Sequence, residues 1–350
     1  MSIHSVRLAL TGLALAGAAA LAACTTPPAP PPPPPAPPAA PPAPAPISLS
    51  TTVIQDAAVY QDYMAAAAAI SPDFKSGADV ALALSHAESI SPDQLLRGEI
   101  AYAAIAALQD PNFVANVRAF GVDPEGRRQM SAQLITNPGY AVAFKGSDTA
   151  AGLAMAAIAV QGRKLFDTGA AVKQAAYAVQ HQDWSKSQVE DRPQRLAYAK
   201  NAALITASAP LDEVSSLRSA AVGQSQMPLH GAVPAPPYSP VIIRGLALAA
   251  LAALGEAGDE NLLVMAPLMH DASTATCLNT AKLNLYQCLA VARPHYEDIF
   301  CLGQHVLMNT GECVMIAAGA PTPVFTPPTP TVLVADVAKP KHAVRRRHHS

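Results

Sequence analysis

Apolar residues recur at intervals of three and four from Val53 to about Met315, the spacing that gathers them on one face of an α-helix. Leu95, Ile100, Ala103 and Leu108 lie near one such face, as do Phe113, Val117 and Phe120. Ser91-Pro92, Asp110-Pro111, Asp123-Pro124 and Ser239-Pro240 repeat a start signal. The first residue of each offers an oxygen to the free amides of a helix beginning, and proline suits a first turn that needs no donor. Gly121 stands where one of these helices should end. Residues 148–182 read as one or two long helices with Gly162 and Gly169 as candidate kinks, and residues 193–207 as another. No alternating segment predicts a strand beyond a weak Val332-Leu333-Val334 run, and no repeat period emerges. The expectation is all-α: an irregular multi-helix bundle of about nine to eleven helices.

Prolines 228, 234, 236 and 237 interrupt the helical pattern. They divide the chain into an N-terminal helical region, residues 53–225, a linker, 226–240, and a C-terminal helical region, 241–317. The apolar run from Val241 to Leu254 is short and carries Arg244, so it reads as a buried core helix rather than a membrane span. Residues 318–350 are a proline-rich linker leading to a basic tail expected to be disordered.

The N-terminus has a different grammar. Arg7 and the terminal amine precede an apolar run from Leu8 to Ala20, the order of a secretory signal, and the run is too short to cross a bilayer. It ends in Leu21-Ala22-Ala23-Cys24, which resembles the bacterial lipobox. That resemblance covers the first 24 residues. It implies cleavage after residue 23, diacylglycerol on the Cys24 thiol and acylation of the new amine. Two or more acyl chains give a stable anchor, since each buried methylene contributes about 0.8 kcal/mol. Thr25, where enteric lipoproteins kept at the inner membrane carry Asp, implies the outer membrane, and the lipid-anchored body is expected to face the periplasm. Residues 24–52 then form a Pro/Ala-rich spacer, with fourteen of the 34 prolines between Pro27 and Pro46. Fixed φ and missing donors favour polyproline II, a stiff stalk of roughly 60 Å at about 3.1 Å per residue.

Composition refines this picture. Few aromatics (5%) and low charge (14%) suit close-packed, alanine-rich helices. The net charge of −2 conceals an asymmetry. Lys339, Lys341, Arg345, Arg346 and Arg347 fall in the last twelve residues with no acid among them, leaving 18 basic against 25 acidic residues elsewhere.

Besides Cys24, four cysteines lie between residues 277 and 313. Export implies an oxidising compartment, and four thiols allow three pairings. Residues 280–293 and 296–308 both read as helices, with Pro294 between them and Asn309-Thr310-Gly311 closing the second. Eleven helical residues separate Cys277 from Cys288 by about 16 Å along the axis, too far for a disulfide, whose Cα atoms lie within roughly 7 Å. In an antiparallel hairpin the partners sit symmetrically about the turn, which gives Cys277–Cys313 and Cys288–Cys301. This nested arrangement is similar to the paired-cysteine hairpins of coiled-coil-helix folds, with different spacings. A four-thiolate zinc site is the alternative, without its usual two-residue spacings.

Chemical motifs are sparse. There is no His-Glu-x-x-His, no Gly-x-Ser-x-Gly and no phosphate loop with lysine, so neither a catalytic residue, a metal nor a cofactor is assigned. His295, Tyr296, Glu297 and Asp298 form a polar cluster whose acids suit a helix beginning. His305 is expected to share a face with Asp298 as a thin general-base pair. His86 with Glu88, and His270 with Asp271, are neighbours in sequence, and Trp184 is expected to end a helix.

The layout of lipid, spacer, helical body, linker and cationic end suits a non-enzymatic envelope scaffold or tether. Its tail would contact the cell wall, acidic lipid headgroups or an acidic envelope protein, with no nucleic-acid partner. An envelope enzyme or accessory factor acting on cell-wall material, and a regulator of an envelope or export complex, are the alternatives. The anchor is directly testable. Cys24→Ala should leave the chain unprocessed, or soluble if another peptidase cuts it, and mass spectrometry of the wild type should find a lipidated Cys24. An unmodified mature N-terminus would overturn the lipoprotein reading.

Overall fold

The computed structural model describes residues 45–326. The chain divides into two units, Met1–Pro41 and Pro42–Ser350, and every element below belongs to the second. Ser50, Ser76, Ser91, Asp110 and Asp123 each cap a helix with a side-chain oxygen: α1 (Thr51–Ala68), α2 (Gly77–Ala87), α3 (Pro92–Ala107), α4 (Pro111–Phe120) and α5 (Pro124–Thr136). A 3-10 turn, Pro138–Ala143, leads to α6 (Ser147–Val179), α7 (Asp183–Lys186), α8 (Arg192–Ala202) and α9 (Leu211–Ala221). Residues 224–239 contain no helix. Ser239 then caps α10 (Pro240–Ala253), followed by α11 (Leu262–Met265), α12 (Ala272–Val291), α13 (His295–Cys301) and α14 (Asn309–Ala317). All four Ser-Pro and Asp-Pro signals start helices, and Gly121 follows the last turn of α4.

Among the described residues there is no β-strand, only two isolated bridges, and no helix is long and apolar enough to cross a membrane. Among the described residues, fourteen α-helical segments exceed the nine to eleven expected. The surplus comes from the single-turn α7 and α11 and from a π-helical stretch, Leu302–Met308, that divides one continuous rod into α13 and α14.

α3 is the central helix, buried on every side from Ile100 to Ala107, and it packs against α1, α6 and α10. α10 is likewise buried, so the two helical regions flanking residues 226–240 share one core. Alanine allows helices to approach closely here, as at Ala103 on α3, which faces Gly245 on α10.

α6 takes the single-helix form of its expectation, and three boundaries differ from theirs: the close of the rod, the end of α8 and the start of α12. α6 runs unbroken through Gly162 and Gly169, because these glycines face the rod rather than bend the helix. A Cβ on Gly169 would lie 2.6 Å from Met308 N, and one on Gly311 would lie 2.7 Å from Gly162 O. Gly311 is therefore interior to α14 instead of closing it. α8 ends five residues earlier than expected, since the Gln94 amide takes both backbone groups of Ala207, donating to its carbonyl at 2.8 Å and accepting from its N–H at 3.0 Å. α12 starts at residue 272 because Asp271 caps it, accepting from Thr274 N at 2.8 Å.

α12 and the rod form the disulfide-stapled hairpin, with Cys277–Cys313 and Cys288–Cys301 both at Cα separations of 5.7 Å. With all four of these cysteines oxidised, none of them offers a thiolate to the zinc alternative. The bridged intervals differ, eleven residues on α12 and twelve on the rod. Twelve α-helical residues would rotate Cys313 about 120° away from Cys301, whereas eleven return to within about 20°. The π-helical stretch between them takes up one extra residue and brings both cysteines back to the face that meets α12. The outer bridge, spanning 36 residues, contributes about 4 kcal/mol on a chain-entropy model. Non-reducing peptide mapping should recover both pairs, and Cys277→Ser with Cys313→Ser should lower the unfolding free energy by about 2–4 kcal/mol. Recovery of Cys277 linked to Cys288 would overturn the hairpin pairing.

Candidate functional site

Three segments meet beside the hairpin turn and leave a cleft of about 490 Å³ between α2, α8 and α13. The stretch before α8 runs along the turn, with Val189 N donating to Arg293 O at 2.8 Å and His295 N to Ser187 O at 3.3 Å. Asp191, at φ 49°, then turns the chain into α8. From α8, Arg192 Nε donates to Ala292 O at 2.7 Å and Arg192 Nη2 to Ala290 O at 2.9 Å, while Arg195 Nη2 reaches Leu289 O and Ala292 O. Two guanidinium groups thus occupy the carbonyls that the C-terminal end of α12 leaves unpaired, where the helix dipole is negative. The opposite wall is α2, held by a reciprocal Ser76–Asp79 capping box.

The floor of the cleft is a buried charge cluster. Asp298 accepts from Arg195 Nη1 through both carboxylate oxygens, at 2.5 Å for Oδ2. Glu88, only 2% exposed, ends α2, and its Oε1 has no hydrogen-bond partner. Lys282 on α12 donates to the Glu88 carbonyl at 3.0 Å. Burial pushes the Glu88 carboxyl up to about 7 against the pull of Lys282, and the Asp298 carboxyl up to about 6 against the pull of Arg195. Burial also brings the Lys282 ammonium down to about 8, and burial and Arg195 together lower the His295 imidazole. Val80, Ala81 and Leu84 form an apolar wall, Glu190 and Asp191 lie at the rim, and Tyr198 is 58% exposed. Such a site suits a cationic or donor-rich group on an apolar stem, and Glu88 is poised to exchange a proton near neutrality.

Other residues singled out in the sequence go elsewhere. Glu297 takes the helix-start role, accepting from Arg293 N at 2.8 Å, whereas Asp298 turns inward to Arg195. His305 does not join Asp298; it lies 3.3 Å from Asn309, edge-on to Phe300, in a separate small cavity. His86 lines a shallow depression with Asp73 and Asp79, apart from Glu88. His270 sits near Arg97, while Asp271 caps α12. Trp184 lies in the single turn α7 that follows α6. Cys24 and the tail residues Lys339, Lys341, Arg345, Arg346 and Arg347 lie outside the described residues. Among the described residues no histidine, cysteine and carboxylate group is arranged to hold a metal.

The cluster of Glu88, Lys282, Arg195 and Asp298 escaped the sequence reading because its members come from four distant segments. One signal was present: Lys282 stands at the spacing of the buried residues Leu278, Leu285 and Leu289. Comparison with family models, curated proteins and solved structures gives no match.

The raised carboxyls fix the sign of a pH dependence. Between about 4.5 and 7 the folded chain holds a proton on Glu88 that the unfolded chain has released, so stability falls as pH rises through that window. Asp298 acts in the same direction, as does Glu99 on α3, which is fully buried with neither carboxylate oxygen partnered. Lys282 acts oppositely between about 8 and 10.5. Urea unfolding should therefore show stability declining from pH 5 to 7.5, with Glu88→Gln removing up to about 3 kcal/mol of that decline. A profile that is flat, or unaltered in Glu88→Gln, would refute a buried acidic Glu88.

Proposed function

We propose that this chain is a non-enzymatic cell-envelope lipoprotein acting as a scaffold or tether. Lipid on Cys24 fixes it to the outer membrane, the proline-rich spacer separates the body from the lipid, and the α2–α8–α13 cleft docks a partner. The tail residues Lys339, Lys341, Arg345, Arg346 and Arg347 contact an anionic envelope surface. The observation that carries the docking part is the cleft itself: an apolar wall and an acidic rim over a floor where Arg195 is tied to Asp298 and Lys282 to the Glu88 backbone carbonyl. The tethering part rests on the five cations with no acid between them. One observation favours a second reading, an enzyme acting on cell-wall material: Glu88 and Asp298 share the cleft with carboxyls raised toward neutrality, as a general acid requires.

One experiment separates these. The purified chain, with and without residues 339–350, is incubated with isolated cell wall and with vesicles rich in anionic lipid. Binding by released counterions should fall steeply with salt, by tenfold or more between ~50 and ~200 mM, and truncation should abolish it. Equal retention of both forms would reduce the tail to a solvated end. Release of soluble cell-wall fragments that Glu88→Gln abolishes would replace the scaffold with the enzyme.

A further inference from the structure

The acid-rimmed cleft has an occupant of matching chemistry in the same chain. We propose that the cleft between α2, α8 and α13 binds the basic tail, residues 339–350, by seating a Lys or Arg side chain between Glu190, Asp191 and Tyr198 above Glu88. This inference rests on the scaffold reading and adds a regulation to it: the tail holds the docking site until an anionic surface draws it away.

Charge is the first argument. Glu190 and Asp191 make the rim acidic, while below them Asp298 is paired with Arg195 and the Glu88 carboxyl has Lys282 behind it. Arg195 is bound to Asp298 and Lys282 to a backbone carbonyl, so neither neutralises the rim through a hydrogen bond. The second argument is Glu88 Oε1, a buried and unpartnered atom of a residue that lines the cleft. A buried acceptor without a partner is costly, and a ligand that donates to it removes that cost. The exposed Tyr198 ring supplies an aromatic face for a cation, and Val80 and Leu84 suit its methylene stem.

Position is the third argument. Lys173 Nζ lies 4.3 Å from the ring centre of Phe325 and 5.4 Å from that of Phe300. The described chain therefore ends beside α13, whose residues His295 and Asp298 line the cleft on the other side of the helix. A helix with its side chains is about 10–12 Å across. Thirteen residues separate Thr326 from Lys339, a reach of roughly 40 Å if extended. That reach is several times the width of α13.

The test measures binding of a fluorescent peptide of residues 337–350 by anisotropy. It compares the full chain with a full-length variant whose five tail Lys and Arg residues are changed to Gln. The neutral-tail variant should bind the peptide, and the native chain at least about tenfold more weakly, because its own tail competes at high effective concentration. Glu190→Gln with Asp191→Asn in the neutral-tail variant should weaken binding about tenfold or more, and raising salt from ~20 to ~200 mM should do likewise. These rim residues are exposed or nearly so, so circular dichroism should be unchanged. No binding by the neutral-tail variant, equal binding by both chains, or indifference to the rim substitutions would each overturn the proposal. Vesicle retention of the native chain is read separately, so the tether can stand where the cleft–tail contact fails.

Discussion

Where α6 crosses the C-terminal rod, backbone meets backbone. Gly162 and Gly169 on one side face Gly311 and Gly303 on the other, and a single methyl group at Gly169 or Gly311 would overlap main-chain atoms. Helices usually keep axes 8–10 Å apart because side chains stand between them, and removing those side chains permits a closer, more rigid seating. The position of the rod fixes α12 through two disulfides, and the end of α12 fixes α8 through Arg192 and Arg195. α13, the first part of the rod, then supplies the floor of the cleft. The order of dependence runs from small residues at a helix crossing to the placement of charges some distance away.

Those charges are a destabilising feature tolerated in an otherwise apolar body. Burying Glu88, Lys282, Arg195 and Asp298 costs more desolvation than their mutual attraction returns unless every donor and acceptor is met, and here Glu88 Oε1 and Arg195 Nε are not. The arginines nevertheless perform a second task, supplying donors to the carbonyls that the end of α12 leaves unpaired. The cluster is thus part of the hairpin's support as well as the surface of the cleft.

Much of the fold was legible because its signals are local. Ser91, Asp110, Asp123 and Ser239 announce helix starts through chemistry contained within four residues, and each of those helices begins there. The disulfide pairing was legible because two centres of symmetry fell on one proline. Glycine was the misleading residue. Gly162, Gly169 and Gly311 read as kinks or an end, yet each sits within a continuous helix, since nothing local tells a glycine that breaks a helix from one that admits a neighbour. The cleft was illegible for a related reason. Glu88 and Asp298 are separated by 210 residues, and only the seating of α13 against α2 brings them to one wall. The unequal spacing of the cysteines hinted at the π-helical stretch, but a one-residue difference reads equally well as a change in the loop.

The nested disulfides also alter what a break in the backbone means. The segments 277–288 and 301–313, with the two bridges, make a closed covalent ring, and residues 289–300 make a second ring sharing the inner bridge. Every peptide bond between Cys277 and Cys313 belongs to one of these loops. A protease that cuts any single one of them opens a ring without dividing the molecule, so the chain after Cys313 remains joined to the chain before Cys277. The covalent link between the two sides of the hairpin thus survives a first proteolytic cut anywhere within it.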